Sequence, residues 1–327
     1  MRVLIAGGYG LVGGWVARHL RAAGHDLELV LGGRKPEAGA ALAAELGART
    51  VRLEVDDPGP GLAQIGSVDL VIAALQDPGD NLLAAALKAG AAHIGITRTT
   101  DTMGSTVIAA AALAKAPVLM LGHWQAGVLT LAAQAAAEAF ASVERVHMAA
   151  FYDYADPIGP MTASDAGGFI GRALVREAGT WTSLDAAVSG RRVSRGAGLE
   201  PFDAVPMGVM DTPALAATTG ARDVRFDLGT GRSLGTAAGG AASHDMYVEI
   251  AGVLSDGTAA ERRVLVSDPK GQAHLTALGV LLGAERLLGL DGAAPPPPGP
   301  RFPEGTLDPR RAMERLTGFG VRMETLS

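Results

Sequence analysis

The first 122 residues alternate short aliphatic runs with alanine-rich stretches that end in glycine. Such runs are typical of buried parallel strands, and the stretches between them are typical of helices that cover a sheet. Val12, Val16 and Leu20, for example, repeat every four residues and predict one apolar helix face that ends near Gly24. The pattern predicts a Rossmann-type, doubly wound parallel sheet of the α/β class. Its strands are expected at Arg2–Ala6, Asp26–Leu31, Thr50–Val55, Asp69–Ala73, His93–Ile96 and Val118–Leu121.

The pattern changes after Leu121, and residues 123–290 are expected to form a second, α+β domain with a mostly antiparallel sheet. Residues 291–327 are expected to be a proline-rich connector, extended through 293–303, and a C-terminal segment that packs back on the domain formed by residues 1–122. The predicted elements are a helix at Ala126–Ala141, a strand at Val143–Tyr154, a helix at Ser164–Ala178, a hairpin of Met246–Leu254 and Ala260–Ser267, and helices at Gln272–Leu288 and Leu307–Leu316.

Composition excludes several classes of protein. The 327 residues are 48% hydrophobic and carry a net charge of −6 without a basic block, so neither a disordered chain nor a nucleic-acid partner is expected. The longest apolar stretch, Thr106–Leu121, is interrupted by Lys115 and Pro117, so no membrane partner is expected either. The chain has no cysteine, which fits a reducing compartment and a cytoplasmic location.

The segment AGGYGLVGGWVARHL, residues 6–20, directly follows the first strand and opens a helix. Gly8, Gly10 and Gly13 have G-x-G-x-x-G spacing, and Gly7, Gly10 and Gly13 also fit G-x-x-G-x-x-G. We expect Gly8 to allow a tight turn, Gly10 to let the backbone approach a pyrophosphate, and Gly13 to permit close helix–strand packing. Backbone N–H groups at the helix start would then hold the anion. A dinucleotide site is predicted here, and it includes Tyr9, Leu11 and Val12.

The residues after the second strand favour NADP(H). An acidic residue that binds the ribose of NAD is expected about 20 residues after the third glycine, and this count reaches Gly33. Arg34 and Lys35 follow, and a guanidinium beside an ammonium suits a 2′-phosphate. The alternative is that these two cations are a solvated pair at a helix start.

Two further strand ends are expected to reach the cofactor. The loop of Leu75, Gln76 and Asp77 leaves the fourth strand at the carboxyl edge of the sheet and would border the nicotinamide half. Asp57, at the end of the third strand, is placed to reach the adenine amino group, although acids at a strand end are more often solvated.

Several reaction types lack their residues. None of the tyrosines has a lysine four positions on, which excludes the Tyr-x-x-x-Lys pair of short-chain dehydrogenases. Without cysteine there is no thiol nucleophile for aldehyde oxidation. The seven histidines form no H-E-x-x-H motif, so no metal site is predicted.

His123 is the first candidate for a proton donor, because it follows the sixth strand and a histidine titrates near neutral pH. Trp124 beside it is expected to line a substrate cleft. Tyr152 is a second catalytic candidate, and Tyr154 shares its strand face and would contact substrate. Each of these residues also has a purely structural interpretation.

Two arginines are candidates for binding a substrate carboxylate through paired hydrogen bonds. Arg98 follows the fifth strand, and Arg172 lies in the predicted helix Ser164–Ala178. The alternative for both is an ordinary surface charge.

Three stretches together resemble the saccharopine dehydrogenase-like reductases: GGYGLVGG, GGRKPEAGAALAAELG, and VDLVIAALQDPGDNLLAAALKAGAAHIGITR. The resemblance returns at GHWQAGVLTLAA and at FPEGTLDPRRAMERLTGFGV. It implies a nucleotide domain joined to an α+β domain that binds substrate and often dimerises, and a reaction that reduces imines formed between an amine and a keto acid.

The sequence therefore predicts a homodimeric, NADPH-dependent oxidoreductase acting on a C=N or C=O group of a small, carboxylated metabolite. Two alternatives stay open. One is a non-catalytic redox sensor that binds NADP(H), and the other is a redox-neutral isomerase that recycles a tightly held nicotinamide.

Overall fold

The computed structural model describes residues 1–96, 102–159, 171–196 and 199–326. The chain divides into two compact units. Met1–Gly122 and Thr276–Leu307 form the first unit, and His123–Leu275 forms the second together with the residues from Asp308 onward. The predicted domains differ from this division in the C-terminal third, where residues 276–290 join the first unit and residues from 308 join the second.

The first unit is built on a parallel sheet of seven strands. They are β1 (Arg2–Ala6), β2 (Glu28–Gly33), β3 (Arg49–Arg52), β4 (Leu70–Ala73), β5 (Ala92–Gly95), β6 (Pro117–Met120) and β15 (Gly299–Arg301). Their order is β15-β6-β5-β4-β1-β2-β3, and each adjacent pair is parallel. The predicted Rossmann-type sheet is therefore confirmed, and the strand order reverses between the neighbouring strands β1 and β4.

Helices of the first unit accompany this sheet: α1 (Leu11–Ala22), α2 (Ala40–Leu46), α3 (Gly59–Ile65), α4 (Asn81–Ala89) and α5 (Met103–Leu113). Leu4, Val71 and Leu82 belong to one buried apolar cluster that joins the sheet to α4. Strands buried on both faces carry continuous apolar runs rather than alternating ones, which is why the sequence pattern located them.

Strand β15 lies inside the stretch 293–303 that was predicted to be a polyproline connector, so the prediction is wrong for residues 299–301. Gly299, Pro300 and Arg301 pair in parallel with β6. Pro300 is tolerated because β15 is an edge strand, where one side needs no N–H donor.

The second unit contains a sheet of nine strands. They are β7 (Phe140–Asp153), β8 (Arg172–Glu177), β9 (Thr180–Asp185), β10 (Arg191–Val193), β11 (Phe202–Pro206), β12 (Asp223–Gly231), β13 (His244–Leu254), β14 (Ala259–Asp268) and β16 (Arg322–Leu326). The order is β10-β11-β12-β7-β13-β14-β16, with β8 paired to β12 and β9 paired to β8. The β12–β7 pair is parallel and the others are antiparallel, so the mostly antiparallel second sheet is confirmed.

The second sheet is accompanied by α6 (Val128–Ala137), α7 (Asp211–Thr219), α8 (Leu234–Ala237) and α10 (Pro309–Gly318), and α9 (Gln272–Leu287) begins in this unit. Helix α6 packs against α7 and α10 and contacts β13. Val146, Met148 and Phe226 of the sheet are fully buried.

The prediction of a helix at Ser164–Ala178 is wrong for the residues that the structure describes, because Arg172–Glu177 is strand β8. Ala173 and Val175 are buried whereas Arg172 and Leu174 are exposed, and this alternation has the two-residue period of a strand. The remaining positions, 164–170, lie outside the described residues.

No helix among the described residues has the length and apolar character needed to cross a membrane.

Candidate functional site

The glycine turn between β1 and α1 is fastened to the end of β2. The N–H groups of Gly7 and Gly8 donate to the carbonyl of Gly32 at 2.8 and 3.2 Å, and Gly10 N–H donates to Gly7 O at 2.9 Å. These bonds fix the path of the backbone from the first strand into the helix.

At Gly7, Gly8 and Gly13 a side chain would either strain the backbone or overlap neighbouring backbone atoms. Gly7 has a φ of +78°, so it adopts the left-handed conformation that glycine favours. A Cβ on Gly8 would lie 2.7 Å from Ile5 O, and one on Gly13 would lie 2.8 Å from Gly7 C. The tight turn is therefore made by Gly7 rather than by Gly8, which is a correction to the expected roles, and the G-x-x-G-x-x-G spacing describes the turn better.

The start of α1 is open for an anion. Gly10 is exposed, and a Cβ there would meet one atom, Gly7 O at 3.2 Å. The N-cap residue, Gly10, has no side chain that could cap the helix, and no acidic residue lies in the first turn. The first N–H groups of a helix, here those of Leu11 and Val12, have no acceptor within the helix and carry its positive dipole end. This geometry suits a diphosphate.

Two cations follow Gly33, which itself supplies no carboxylate; Glu37 and Glu54 lie close enough to act on the nearby Tyr9 hydroxyl. Arg34 and Lys35 are exposed, and neither forms an ion pair with any residue that the structure describes. Gly33, the last residue of β2, is buried under the ring of Tyr9. The Tyr9 hydroxyl accepts a hydrogen bond from Lys35 N–H at 3.0 Å.

The loop after β4 borders the glycine turn through Leu75. A Cβ on Gly7 would lie 3.4 Å from the Cβ of Leu75 and 2.8 Å from the carbonyl of Ala74. Gln76 is exposed in the same loop, and Asp57 is exposed after β3.

The carboxylate of Asp77 caps helix α4. It is buried and accepts from the N–H groups of Asn81, Leu82 and Leu83 at 2.8, 2.9 and 3.3 Å. These N–H groups at the helix start would otherwise have no acceptor, so the Asp77 carboxylate stabilises the beginning of α4.

In the second unit, His123 and Trp124 begin a network around the buried Asp211 of α7. The Asp211 carboxylate accepts from Trp124 N–H at 2.7 Å and from Thr130 Oγ1–H at 2.6 Å. Burial raises the pKa of Asp211, and the nearby His123 opposes this rise. His123 is buried as well, so these two titratable groups lie close together within the interior of the unit.

Trp124 and Gln125 also bind His244. Trp124 Nε1–H lies 3.1 Å and Gln125 Nε2 lies 2.9 Å from His244 Nε2. Because an indole N–H is a donor only, Nε2 is the acceptor and the ring proton is on Nδ1. Burial lowers the pKa of His244 to about 4, which keeps the ring neutral.

The turn that holds this network is strained. Gln125, Ala126 and Gly127 have φ values of 51°, 52° and 90°. A left-handed residue other than glycine costs about 1–2 kcal/mol, so the bonds to Asp211 and His244 must hold the turn in place. Because of this turn, α6 begins only at Val128. It ends at Ala137, so the helix is shorter than the predicted Ala126–Ala141.

Tyr152 and Tyr154 come together as expected. Their ring centroids are 5.5 Å apart at 81°, and Tyr154 is 75% exposed. The Tyr152 hydroxyl donates to the carbonyl of Asp156 at 3.3 Å. Burial raises the pKa of Tyr152, so the phenol is a weaker proton donor than an ordinary tyrosine.

Of the two candidate arginines the structure describes Arg172, which is not brought to this network. Arg172 is exposed on β8, and its Nε donates to Ser183 Oγ at 3.2 Å. Arg98 lies outside the described residues.

Asp156 follows the tyrosines and is a buried acid. It accepts from Gln272 N–H at 2.8 Å. Burial raises the pKa of Asp156 to about 6, and the charges of Asp268, Asp153 and Asp245 add to this rise. Even so, the described residues contain no group of three or more histidine or acidic side chains arranged to hold a metal ion.

Asp156→Asn is expected to remove a pH-dependent loss of stability. The folded side chain keeps its proton up to about pH 6, whereas the unfolded one loses it near pH 3.8. The folded state thus binds more protons in this window, and the free energy of unfolding falls as the pH rises through it. Asparagine resembles the neutral acid, so the stability of the variant relative to the wild type should increase by about 1–3 kcal/mol between about pH 4 and pH 6.5. Urea unfolding of both proteins at each pH measures this, and a constant difference would contradict it.

Sequence reasoning missed Gln125, Thr130, Asp211 and His244. Asp211 and His244 lie 87 and 120 positions from Trp124, to which they are hydrogen-bonded. No short motif joins such distant positions, and Asp211, two residues before Pro213, has the local pattern of a helix start.

The first unit is thus a Rossmann-type unit with an open glycine turn, and the second is an α+β unit with a buried Asp–His–Trp network. The chain has the saccharopine dehydrogenase-like fold that the sequence resemblance implied. It is similar over 100% of both chains to saccharopine dehydrogenase (L-Glu forming) from Saccharomyces cerevisiae, with a TM-score of 0.73 and 12% identity.

A second similar structure is GenD2 from gentamicin A biosynthesis, which was solved in complex with NAD. The TM-score is 0.52 and the identity 16%, over 100% of this chain and 96% of that one. No protein-family model matches the sequence, and no curated protein matches it.

Proposed function

We propose that the protein is an NADPH-dependent oxidoreductase that reduces a C=N or C=O group of a small, carboxylated metabolite. The observation that carries this proposal is the end of β2, where Gly33 supplies no carboxylate and Arg34 and Lys35 are exposed and unpaired among the described residues. An acid at this place would bind the ribose of NAD, whereas two cations favour a 2′-phosphate.

The residues of the first unit fit the cofactor. The diphosphate would be held by the N–H groups of Leu11 and Val12, with Gly10 leaving room for it. Arg34 would bind the 2′-phosphate through paired hydrogen bonds and Lys35 through charge. When bound, NADPH supplies a hydride. The fold shared with saccharopine dehydrogenase and with the NAD-bound GenD2 supports a nicotinamide cofactor.

Reduction of an imine also requires a proton, because an iminium accepts a hydride far better than a neutral imine does. We propose His123 as the donor. The buried Asp211 lies close to it, and the bonds from Trp124 N–H and Thr130 hold that carboxylate in place. Trp124 and Tyr154 are proposed to contact substrate.

The test is NADPH consumption with a panel of amine and keto-acid pairs. A productive pair should oxidise NADPH in proportion to the substrate consumed, and His123→Gln should lower turnover at least about tenfold while leaving the affinity for NADPH unchanged. Binding of NADPH without turnover on any pair would favour a sensor. Turnover without net oxidation, with a nucleotide that survives purification, would favour an isomerase.

A further inference from the structure

The ring of Tyr9 lies over two glycines, Gly33 at the end of β2 and Gly39 six residues later in the turn before α2. A Cβ on Gly33 would lie 2.5 Å from Tyr9 Cζ, and one on Gly39 would lie 2.5 Å from Tyr9 Cδ1. Carbon atoms that are not bonded pack at about 3.5–4.0 Å. Neither position therefore accepts a side chain while the ring stays where it is.

The hydroxyl of the same residue fixes the cationic segment. Tyr9 Oη accepts from Lys35 N–H at 3.0 Å, and the charges of Glu37 and Arg34 also act on the phenol, in opposite directions. Tyr9 itself stands in the glycine turn between Gly8 and Gly10. One side chain therefore connects the diphosphate-binding turn to the segment that carries Arg34 and Lys35.

Position 33 is the place where a ribose-binding carboxylate would stand. We infer that Tyr9 determines the nucleotide preference by keeping position 33 free of any side chain, and this inference rests on the proposed NADPH site. A carboxylate there would bind the two ribose hydroxyls of NADH and repel the 2′-phosphate of NADPH. In this chain a side chain at position 33 would have to displace the Tyr9 ring and its hydrogen bond to Lys35 N–H, so specificity depends on the pair rather than on Gly33 alone.

The inference is tested by placing Asp at position 33 in three backgrounds. Gly33→Asp alone should lower the melting temperature by about 5 °C or more, because the new side chain overlaps the ring. Tyr9→Phe/Gly33→Asp is the matched control and should melt equally low, since phenylalanine keeps Cζ in place. The double variant Tyr9→Ala/Gly33→Asp should melt within about 2 °C of the single variant Tyr9→Ala, because the ring that the new side chain would overlap is gone.

Calorimetric titration of the same proteins with NADPH and with NADH gives the second readout. Relative to the wild type, Tyr9→Ala/Gly33→Asp should shift the ratio of the two affinities at least about 100-fold towards NADH. The inference is overturned if Gly33→Asp alone melts like the wild type, or if the double variant keeps the wild-type ratio. Equal affinity of the unmodified protein for both nucleotides would instead contradict the proposed NADPH preference, and the inference with it.

Discussion

Gly13→Ala is expected to abolish nucleotide binding and to lower the free energy of unfolding by about 2–4 kcal/mol. The added Cβ would lie 2.8 Å from Gly7 C and 3.0 Å from Gly8 Cα, and it would overlap Gly7 O. These are backbone atoms, and the N–H groups of Gly7 and Gly8 are bonded to Gly32 O. The turn cannot move aside without breaking its attachment to β2, so the clash displaces the N–H groups that would bind the diphosphate.

The neighbouring Gly14→Ala is the matched control. Its Cβ would lie 3.6 Å from Arg18 Nη1 and 3.6 Å from Leu42 Cδ2, which are ordinary contacts. Alanine is favoured over glycine inside a helix by about 0.8–1 kcal/mol, so this variant should be as stable as the wild type or more stable. Urea unfolding and NADPH titration measure both effects. If Gly13→Ala behaves like Gly14→Ala, the close packing of the turn has no influence on binding.

Arg34→Ala is expected to weaken the binding of NADPH about 10- to 100-fold, since a charge-assisted hydrogen bond contributes about 1.5–3 kcal/mol. The affinity for NADH should change by less than about twofold, because NADH has no 2′-phosphate for the guanidinium to bind. Arg34 is exposed and forms no ion pair within the described residues, so stability should be unaffected.

Arg18→Ala separates this contact from a general loss of positive charge. Arg18 lies on α1 in the same unit and pairs with Glu45 on the surface. Its removal should leave the preference for NADPH over NADH intact. Equal losses of affinity for both nucleotides in Arg34→Ala would show that the arginine does not contact the 2′-phosphate.

The central strands of the first unit were predictable because they are buried on both faces. Continuous aliphatic runs such as Leu4–Ala6 and Leu70–Ala73 leave little doubt about their type, and the observed bounds differ from the predicted ones by at most three residues. The glycine spacing located the turn, but two spacings overlap in the sequence. The backbone conformation at Gly7 was needed to choose between them.

Two edge strands, β15 and β16, were missed for the opposite reason. In β15 three half-buried residues pair with a single neighbour, and in β16 the residues are mostly exposed, so neither has an apolar pattern. Strand β8 alternates over six residues, a span too short to distinguish it from an alanine-containing helix.

The polar contacts were predictable only where they are local. Asp77 stands four to six residues before the N–H groups that it caps, and its place in a loop at the edge of the sheet suggested a cofactor contact instead. The network of His123, Trp124, Asp211 and His244 depends on how α7 and β13 pack, which is a tertiary property without a local signal.

Titration of the unmodified protein with NADPH and, in parallel, with NADH tests the account most directly. We expect saturable heat with both reduced nucleotides, a raised melting temperature, and an affinity for NADPH at least about tenfold higher than for NADH. The absence of heat and of any thermal shift with either nucleotide, at concentrations that saturate ordinary dehydrogenases, would contradict it.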